Sequence, residues 1–250
     1  MFKLFSKSKK NESAEIAEFG LLKTDMHSHL IPGIDDGAPD IETSLKLIGG
    51  LHSLGYKKII TTPHIMWDMY KNTREIILER LEWLRTTVKE AELDIEIDAA
   101  AEYFLDDHVA GLLANNEPLL TVSGNMVLVE FSMAYPSHSL KGILFDMQMQ
   151  GYQPIIAHPE RYIYLDQNKG FYEELRDIGC LFQLNILSLT GYYGKSVQEL
   201  AQYLMKKEYY DLVGTDLHHF GHLEALSTRP VLAAQLKKLL DSGKIKNFEL

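Results

Sequence analysis

The chain has 250 residues, 25 basic against 35 acidic side chains, a formal charge of −10 and 46% hydrophobic content. This composition excludes a disordered or collagen-like chain, and the acidic balance argues against a nucleic-acid protein, whose phosphate contacts demand a Lys/Arg surface. A length near 250 suits one large α/β barrel or two small domains, so periodicity has to decide. The single cysteine, Cys180, has no internal disulfide partner, and the N-terminal region lacks the apolar core and cleavage site of a secretory signal. No apolar run approaches the ~20 residues of a membrane-spanning helix, and a reducing, cytoplasmic compartment is expected.

At the start of the chain Phe2, Leu4 and Phe5 alternate with Lys3, Lys7, Lys9 and Lys10, and a polar stretch follows. Residues 1–20 read as a tail outside the core pattern, with two readings open. It is a solvated, flexible terminus, or a weak anchor for a partner or for the anionic inner face of a membrane. From Leu22 short apolar runs alternate with helical patterns, the signature of consecutive βα units around a parallel sheet. Seven runs are expected as strands: Leu22 to His27, Lys58 to Thr62, Ile95 to Glu102, Met126 to Phe131, Gln153 to His158, Leu181 to Asn185 and Leu212 to Asp216. The first helix follows Asp40 as its cap, carries Ile41, Leu45, Ile48 and Leu51 at helical spacing, and closes at Gly55. Asn72 precedes a longer pattern through Ile76, Ile77, Leu81, Leu84 and Val88, and Ser137 precedes one with Leu140, Leu144 and Met147. Seven units without a break predict a single domain over 21–250, a closed or nearly closed barrel one unit short of the usual eight.

In a parallel barrel the chemistry gathers where the strands end. Those ends carry His27 and His29, His64, Glu102, Glu130, His158, Asn185, and finally Asp216 and His218, so six of the seven offer a metal-ligand type. Unpaired imidazoles and carboxylates around one axis are costly, and divalent cations are the simplest compensation. His27 and His29 are alternate residues of an extended strand and can face one ion, as can Asp216 and His218. The loop through Pro32, Gly33, Asp35, Asp36 and Gly37 can return Asp36 to the same place, while Pro63 ends the second run and holds His64 at the rim.

The segments Asp25-Met26-His27-Ser28-His29, Asp35-Asp36-Gly37, Thr62-Pro63-His64, Ala101-Glu102-Tyr103, Val129-Glu130-Phe131-Ser132-Met133, Ala157-His158-Pro159-Glu160-Arg161-Tyr162 and Thr215-Asp216-Leu217-His218 together span nearly the whole chain. In order and spacing they resemble the PHP (polymerase and histidinol phosphatase) superfamily, and within it the bacterial capsule-associated protein-tyrosine phosphatases. The resemblance implies an α/β fold, a distorted seven-stranded (β/α)7 barrel, with three divalent ions at its mouth, Mn²⁺ with Fe or Zn²⁺ as alternatives. By the same resemblance His27, His29, Glu102 and Asp216 form one site, Glu102 bridges to a second with Glu130 and His158, and Asp36, His64 and His218 form the third.

The implied activity is hydrolysis of phosphotyrosine in proteins, the substrate being a bacterial tyrosine kinase that regulates capsule or exopolysaccharide synthesis. Clustered cations neutralise a phosphate monoester and acidify a water for in-line attack, so no protein nucleophile is required. Cys180 lacks the phosphate-cradling loop and nearby arginine of a cysteine phosphatase and reads as structural. Arg161 is the candidate phosphate clamp. The resembled family places a second arginine soon after the final Asp-x-His; here that stretch reads His219, Phe220, Gly221, His222, Leu223, and the next arginine is Arg229. His219 or His222 is therefore a candidate to assist the phosphate or leaving group. Tyr103, Phe104, Phe131, Tyr135 and Tyr162 either border an aromatic leaving group or pack the rim. His52 and His108 fall within helical patterns away from the metals, and His138 begins a helix. The competing readings are a small-molecule phosphatase of the histidinol-phosphate type, a polymerase-associated nuclease, and a metal-bearing regulatory subunit without turnover.

Overall fold

The computed structural model describes residues 19–250 with the exception of 136 and 138. Its elements run β1 (Thr24–Asp25), α1 (Ile41–Ser53), β2 (Lys58–Thr61), β3 (His64–Ile65), α2 (Arg74–Glu90), β4 (Glu96–Ala99) and β5 (Glu102–Phe104). They continue with α3 (Asp107–Ala114), β6 (Met126–Glu130), α4 (Leu140–Met149), β7 (Gln153–Ala157), α5 (Gly170–Asp177) and β8 (Leu181–Asn185). The chain ends through α6 (Lys195–Lys206), β9 (Leu212–Gly214), α7 (Phe220–Thr228) and α8 (Val231–Asp241). Every strand pairing is parallel, which makes this an α/β fold.

Local chemistry sets the helix starts. The Asp40 carboxylate accepts from Thr43 N at 2.8 Å and opens α1, which buries Leu47, Ile48 and Leu51. Thr73, not Asn72, caps α2, which buries Ile77, Leu81, Leu84 and Val88 on one face. Asn72 is buried instead, and its amide donates to the carbonyls of Ile34 (2.9 Å) and His64 (2.8 Å). It thereby ties the loop after β1 to the strand that carries His64.

The strands form a three-stranded sheet, β1-β2-β4, and a six-stranded sheet, β3-β5-β6-β7-β8-β9. The run expected over Ile95 to Glu102 is split at Ala100–Ala101 between β4 and β5, and the run expected to end at Thr62 is followed, past Thr62–Pro63, by the short β3. Pro63 has no N–H to give the ladder, and Thr62 N turns to Ser28 O at 2.7 Å. The register nonetheless runs on unchanged, from Thr61 opposite Ala99 to His64 opposite Glu102. Single hydrogen bonds carry the neighbours across the break, Ala100 N to Thr61 O and Glu102 N to Pro63 O. Beyond the ends of β1 and β9, Ser28 and Leu217 form a lone parallel bridge, with His29 N donating to Leu217 O at 2.9 Å and Asp216 N to His27 O at 2.7 Å.

A small inner core of Met26, Ile60, Ala100, Leu128, Ile155, Leu181 and Leu212 draws side chains from each expected run and lies apart from the larger helix-facing core. Of the expected tail, residues 1–18 lie outside the described residues. Phe19 and Gly20 belong to the packed body instead, because Phe19 is fully buried and stacks on Tyr56 at 5.7 Å. Among the described residues no helix is long and apolar enough to cross a membrane.

Candidate metal centre

The two histidines after β1 are locked from behind. His27 Nδ1 lies 2.9 Å from Gln183 Oε1. That amide is oriented by its own Nε2, which donates to Leu184 O at 2.7 Å, and by His158 N, which donates to Oε1 at 3.2 Å. His29 Nδ1 lies 2.8 Å from Asp35 Oδ2. Both partners are acceptors, so in each ring Nδ1 carries the proton and Nε2 is left with a lone pair. Those two Nε2 atoms are 3.3 Å apart. They face Glu102 Oε2 at 3.1 and 3.4 Å and Asp216 Oδ1 at 3.3 and 3.5 Å. With both imidazoles neutral, four buried acceptors thus point into one small volume with no donor among them.

The remaining ligand-type residues extend this arrangement. His158 Nε2 is 3.1 Å from Glu102 Oε1. His64 Nδ1 is 3.1 Å from Glu130 Oε1 and 3.3 Å from Glu102 Oε2, and His64 Nε2 is 3.5 Å from Asp36 Oδ1. His218 Nδ1 donates to the Asp216 carbonyl at 2.9 Å, leaving Nε2 3.6 Å from Asp36 Oδ1. His64 Nδ1, Glu130 Oε1 and His158 Nδ1 are buried without a hydrogen bond of sound geometry. His158 and Asp216 also hold left-handed backbone, φ +33° and +51°, which non-glycine residues adopt rarely and mostly where surrounding structure enforces it.

All nine residues fall into four overlapping donor groups, His27/His29/Asp216, His27/Glu102/His158, His64/Glu102/Glu130 and His29/Asp36/His64/His218, each with its ligand atoms within 4.8 Å. Glu102 is shared by two of these groups, one with His27 and His158 and one with His64 and Glu130. The donor set and its unpaired buried atoms fit divalent cations. Without a cation, protons compensate the same crowding. Burial opposes a charged His27, yet the Glu102 and Asp216 carboxylates outweigh it and raise the pKa to about 9. Glu102 and Asp216 are held well below the carboxylate range, the facing imidazoles, His27 foremost, overcoming burial. The facing His218 imidazole lowers Asp36 to about 2.

A cavity of about 410 Å³ opens over these residues. Arg161, its side chain 27% exposed, lines it and donates from NH1 to Asp216 Oδ2 at 2.8 Å. Among the described residues no other arginine or lysine lines it. Arg229 lies elsewhere, over the Tyr192 ring at 5.4 Å and donating to Thr190 O at 3.3 Å. His222 lines the cavity too, but its Nδ1 meets backbone atoms, His218 N at 3.3 Å and Asp216 O at 3.1 Å, and burial lowers its pKa to about 4. His219 caps α7, its Nδ1 accepting from Gly221 N at 3.1 Å, and stacks on His222 at 4.0 Å.

The aromatic residues considered for the leaving group are not at the cavity. Strand alternation turns Tyr103 and Phe131 away from their neighbours Glu102 and Glu130 and into the core, where Tyr162 joins them. Phe104 and Tyr135 do not line it either; Met66, Met69, Tyr70 and Met133 do. His52 lies in α1 and His108 in α3, the latter stacked on Trp67 at 3.9 Å, while His138 lies outside the described residues. Cys180 is buried and its thiol pushed up to about 12, the wrong direction for a nucleophile. Asp35, Gln183 and Tyr193 were not singled out from sequence as parts of the site, nor were Met66, Met69 and Tyr70 of the cavity lining. Gln183 was open to detection, as a polar side chain one alternation before Asn185 in an otherwise apolar run.

The family described as "Capsular polysaccharide synthesis, CpsB/CapC" matches residues 23–233. Tyrosine-protein phosphatase CpsB of Streptococcus pneumoniae is 31% identical over 201 residues, covering 78% of this chain and 82% of the relative. Tyrosine-protein phosphatase YwqE of Bacillus subtilis is 27% identical over 195 residues, with 78% and 77% covered. A solved structure from work on YwqE and the pneumococcal CpsB, described as metal-dependent tyrosine phosphatases, superposes with a TM-score of 0.77 at 25% identity and covers 90% of this chain and 89% of its own. The chain belongs to the CpsB/CapC family of capsular polysaccharide synthesis.

Proposed function

We infer that this protein is a metal-dependent protein-tyrosine phosphatase. The observation that carries the reading is the four buried acceptors, His27 Nε2, His29 Nε2, Glu102 Oε2 and Asp216 Oδ1, which crowd together with no donor among them. The names of the relatives support phosphotyrosine as the substrate. The nine residues would hold three divalent ions, manganese in the first place, with iron or zinc compatible with the same nitrogen and oxygen donors. Bound there, such ions supply charge neutralisation for a phosphate monoester and an acidified water for attack on phosphorus.

The chain's own groups do the rest. Arg161 lies beside the centre with its guanidinium on Asp216, placed to exchange that carboxylate for phosphoryl oxygens. Met66, Met69, Tyr70 and Met133 form an apolar wall for the phenyl ring, with Tyr70 stacked on His64 at 5.5 Å. A phenolate leaves with a conjugate pKa near 10, so the site needs no strong general acid. His219 and His222 serve as the cap of α7 and the brace of the Asp216–His218 backbone rather than as proton donors. The seven βα units read as one distorted barrel in a single domain, expected over 21–250 and extended here to Phe19, supported by the Ser28–Leu217 bridge between the first and last runs. The protein substrate is taken to be a tyrosine kinase that controls capsule or exopolysaccharide synthesis, met in the cytoplasm at the inner face of the membrane. Contact of the part of the tail ahead of Phe19 with that membrane belongs to the same proposal.

The test is the initial rate of phosphate release from a phosphotyrosine peptide, before and after chelation and after Mn²⁺ is restored, alongside histidinol phosphate. Chelator-sensitive, metal-restored release that prefers the peptide is expected. Preference for histidinol phosphate moves the assignment to small-molecule metabolism, and no release by loaded protein refutes the phosphatase reading.

A further inference from the structure

Tyr193 carries no ligand atom for the centre, yet it touches its framework on two sides. It lines the cavity half-buried, with its ring 4.8 Å from the guanidinium carbon of Arg161. Its hydroxyl accepts from Asn185 Nδ2 at 3.1 Å, and the same amide donates to Asp216 Oδ2 at 3.0 Å. The ring is braced in turn: Tyr192 packs edge-on at 5.0 Å, and Arg229 covers Tyr192 at 5.4 Å. Both tyrosines sit on a turn between Gly191 and Gly194, whose φ of +77° and +97° are costly for any residue with a Cβ.

Asp216 and the Tyr193 ring are thus the two groups that position the Arg161 guanidinium. Asp216 is also a ligand-type residue, so its carboxylate is shared between the arginine and the centre. The ring face is not shared. A guanidinium stacks on an aromatic face without using its N–H donors, which stay free in the plane for an oxyanion. We propose that Tyr193 is the positioning residue for Arg161, its ring holding the guanidinium at the cavity wall while the N–H groups pass from Asp216 to phosphate oxygens. The hydroxyl serves Asn185 and is secondary to this role. The inference rests on the reading of Arg161 as the phosphate clamp.

Inorganic phosphate is the probe, its dissociation constant measured by calorimetry on metal-loaded protein, with metal content and melting temperature recorded for each variant. Arg161→Ala tests the clamp. Tyr193→Leu removes the ring, and Tyr193→Phe keeps it without the hydroxyl. Phosphate binding is expected to weaken about tenfold in Tyr193→Leu and to stay within about twofold of wild type in Tyr193→Phe, as loss or retention of a partly desolvated cation–π contact predicts. In an Arg161→Ala background, Tyr193→Leu should add nothing further, because the contact it removes is already gone. If Tyr193→Leu loses metal or melts early, Tyr193→Met replaces it, keeping apolar bulk without a ring. Wild-type phosphate binding in the ring-less variant, an equal loss with and without Arg161, or a tenfold loss in Tyr193→Phe overturns the proposal. If Arg161→Ala itself binds phosphate normally, the clamp reading has failed and the positioning role falls with it.

Discussion

Removing the metal should tilt the dependence of stability on pH, by an amount set at His27. With Nδ1–H given to Gln183, the lone pair on Nε2 faces Glu102 and Asp216, and in chelated protein a proton takes the place a cation would hold. Burial works against that charge, but the two carboxylates prevail and lift the His27 pKa from 6.5 to about 9. A histidine whose pKa is raised by folding stabilises the fold fully below its unfolded value, here 6.5, and that contribution is lost as pH climbs through about 9. The change in pKa is worth about 3 kcal/mol, which for a chain of this length is about 10 °C in melting temperature. Thermal unfolding of chelated wild type, chelated His27→Asn and metal-loaded wild type, from about pH 6 to about pH 10, reads it directly. The chelated wild type should lose about 10 °C more than chelated His27→Asn across that range, because the variant has no proton to release. Loaded protein should lack this His27 step, since the nitrogen is already free of that proton. Parallel profiles for the chelated wild type and His27→Asn would refute the reasoning.

Glu160 lies behind Arg161, fully buried, its Oε1 accepting from Asn185 N at 3.0 Å and its Oε2 3.0 Å from the Tyr210 hydroxyl. Burial raises its pKa from 4.5 to about 7, so its protonated form stabilises the fold below pH 4.5 and that contribution fades as pH rises through about 7. In Glu160→Gln, which can make both hydrogen bonds without ionising, metal-loaded protein should gain about 3 kcal/mol relative to wild type as pH rises through that window; denaturant unfolding giving a constant difference would count against it. At the cavity wall, Met133→Ser should raise KM about fivefold for an aryl phosphate and leave an alkyl phosphate unchanged, as loss of apolar contact with the ring alone requires. Equal effects on both substrates would remove the wall from leaving-group recognition.

The ligand-type residues were legible because their chemistry is conspicuous against their surroundings. Histidines and carboxylates at the ends of apolar runs have few structural uses, and the alternate spacing of His27 with His29 and of Asp216 with His218 survives any small error in strand length. Strand breaks were harder. Pro63 advertises one by its missing N–H, but the break at Ala100–Ala101 falls in two small apolar residues and lies beside Pro63 in the neighbouring strand. The cap of α2 was displaced for a related reason, since Asn72 is used to tie two carbonyls and Thr73 takes over the helix start. Tyr103 and Phe131 were misjudged as possible rim residues although strand alternation alone separates them from Glu102 and Glu130. The methionine wall stands on loops, where no periodicity speaks for it.

What the ligands can bind is decided one step behind them. Gln183 and Asp35 occupy the same position on His27 and His29, but one is neutral and the other a carboxylate, itself held below its usual pKa by the His29 charge that outweighs its burial. An anionic partner at Nδ1 makes the opposite nitrogen the stronger donor, so His29 is the more basic ligand of the pair. Asp35 also accepts from His64 N at 3.1 Å and Gly37 N at 3.0 Å, which clamps the loop carrying Asp36 against the strand end carrying His64. That clamp closes only because residue 37 is glycine. A Cβ there would stand 2.1 Å from the His29 carbonyl oxygen and 2.4 Å from its Cβ. A Gly37→Ala substitution must therefore move the loop, and with it both the basicity of His29 and the approach of Asp36, so the candidate cation site depends on a residue that offers no ligand atom at all.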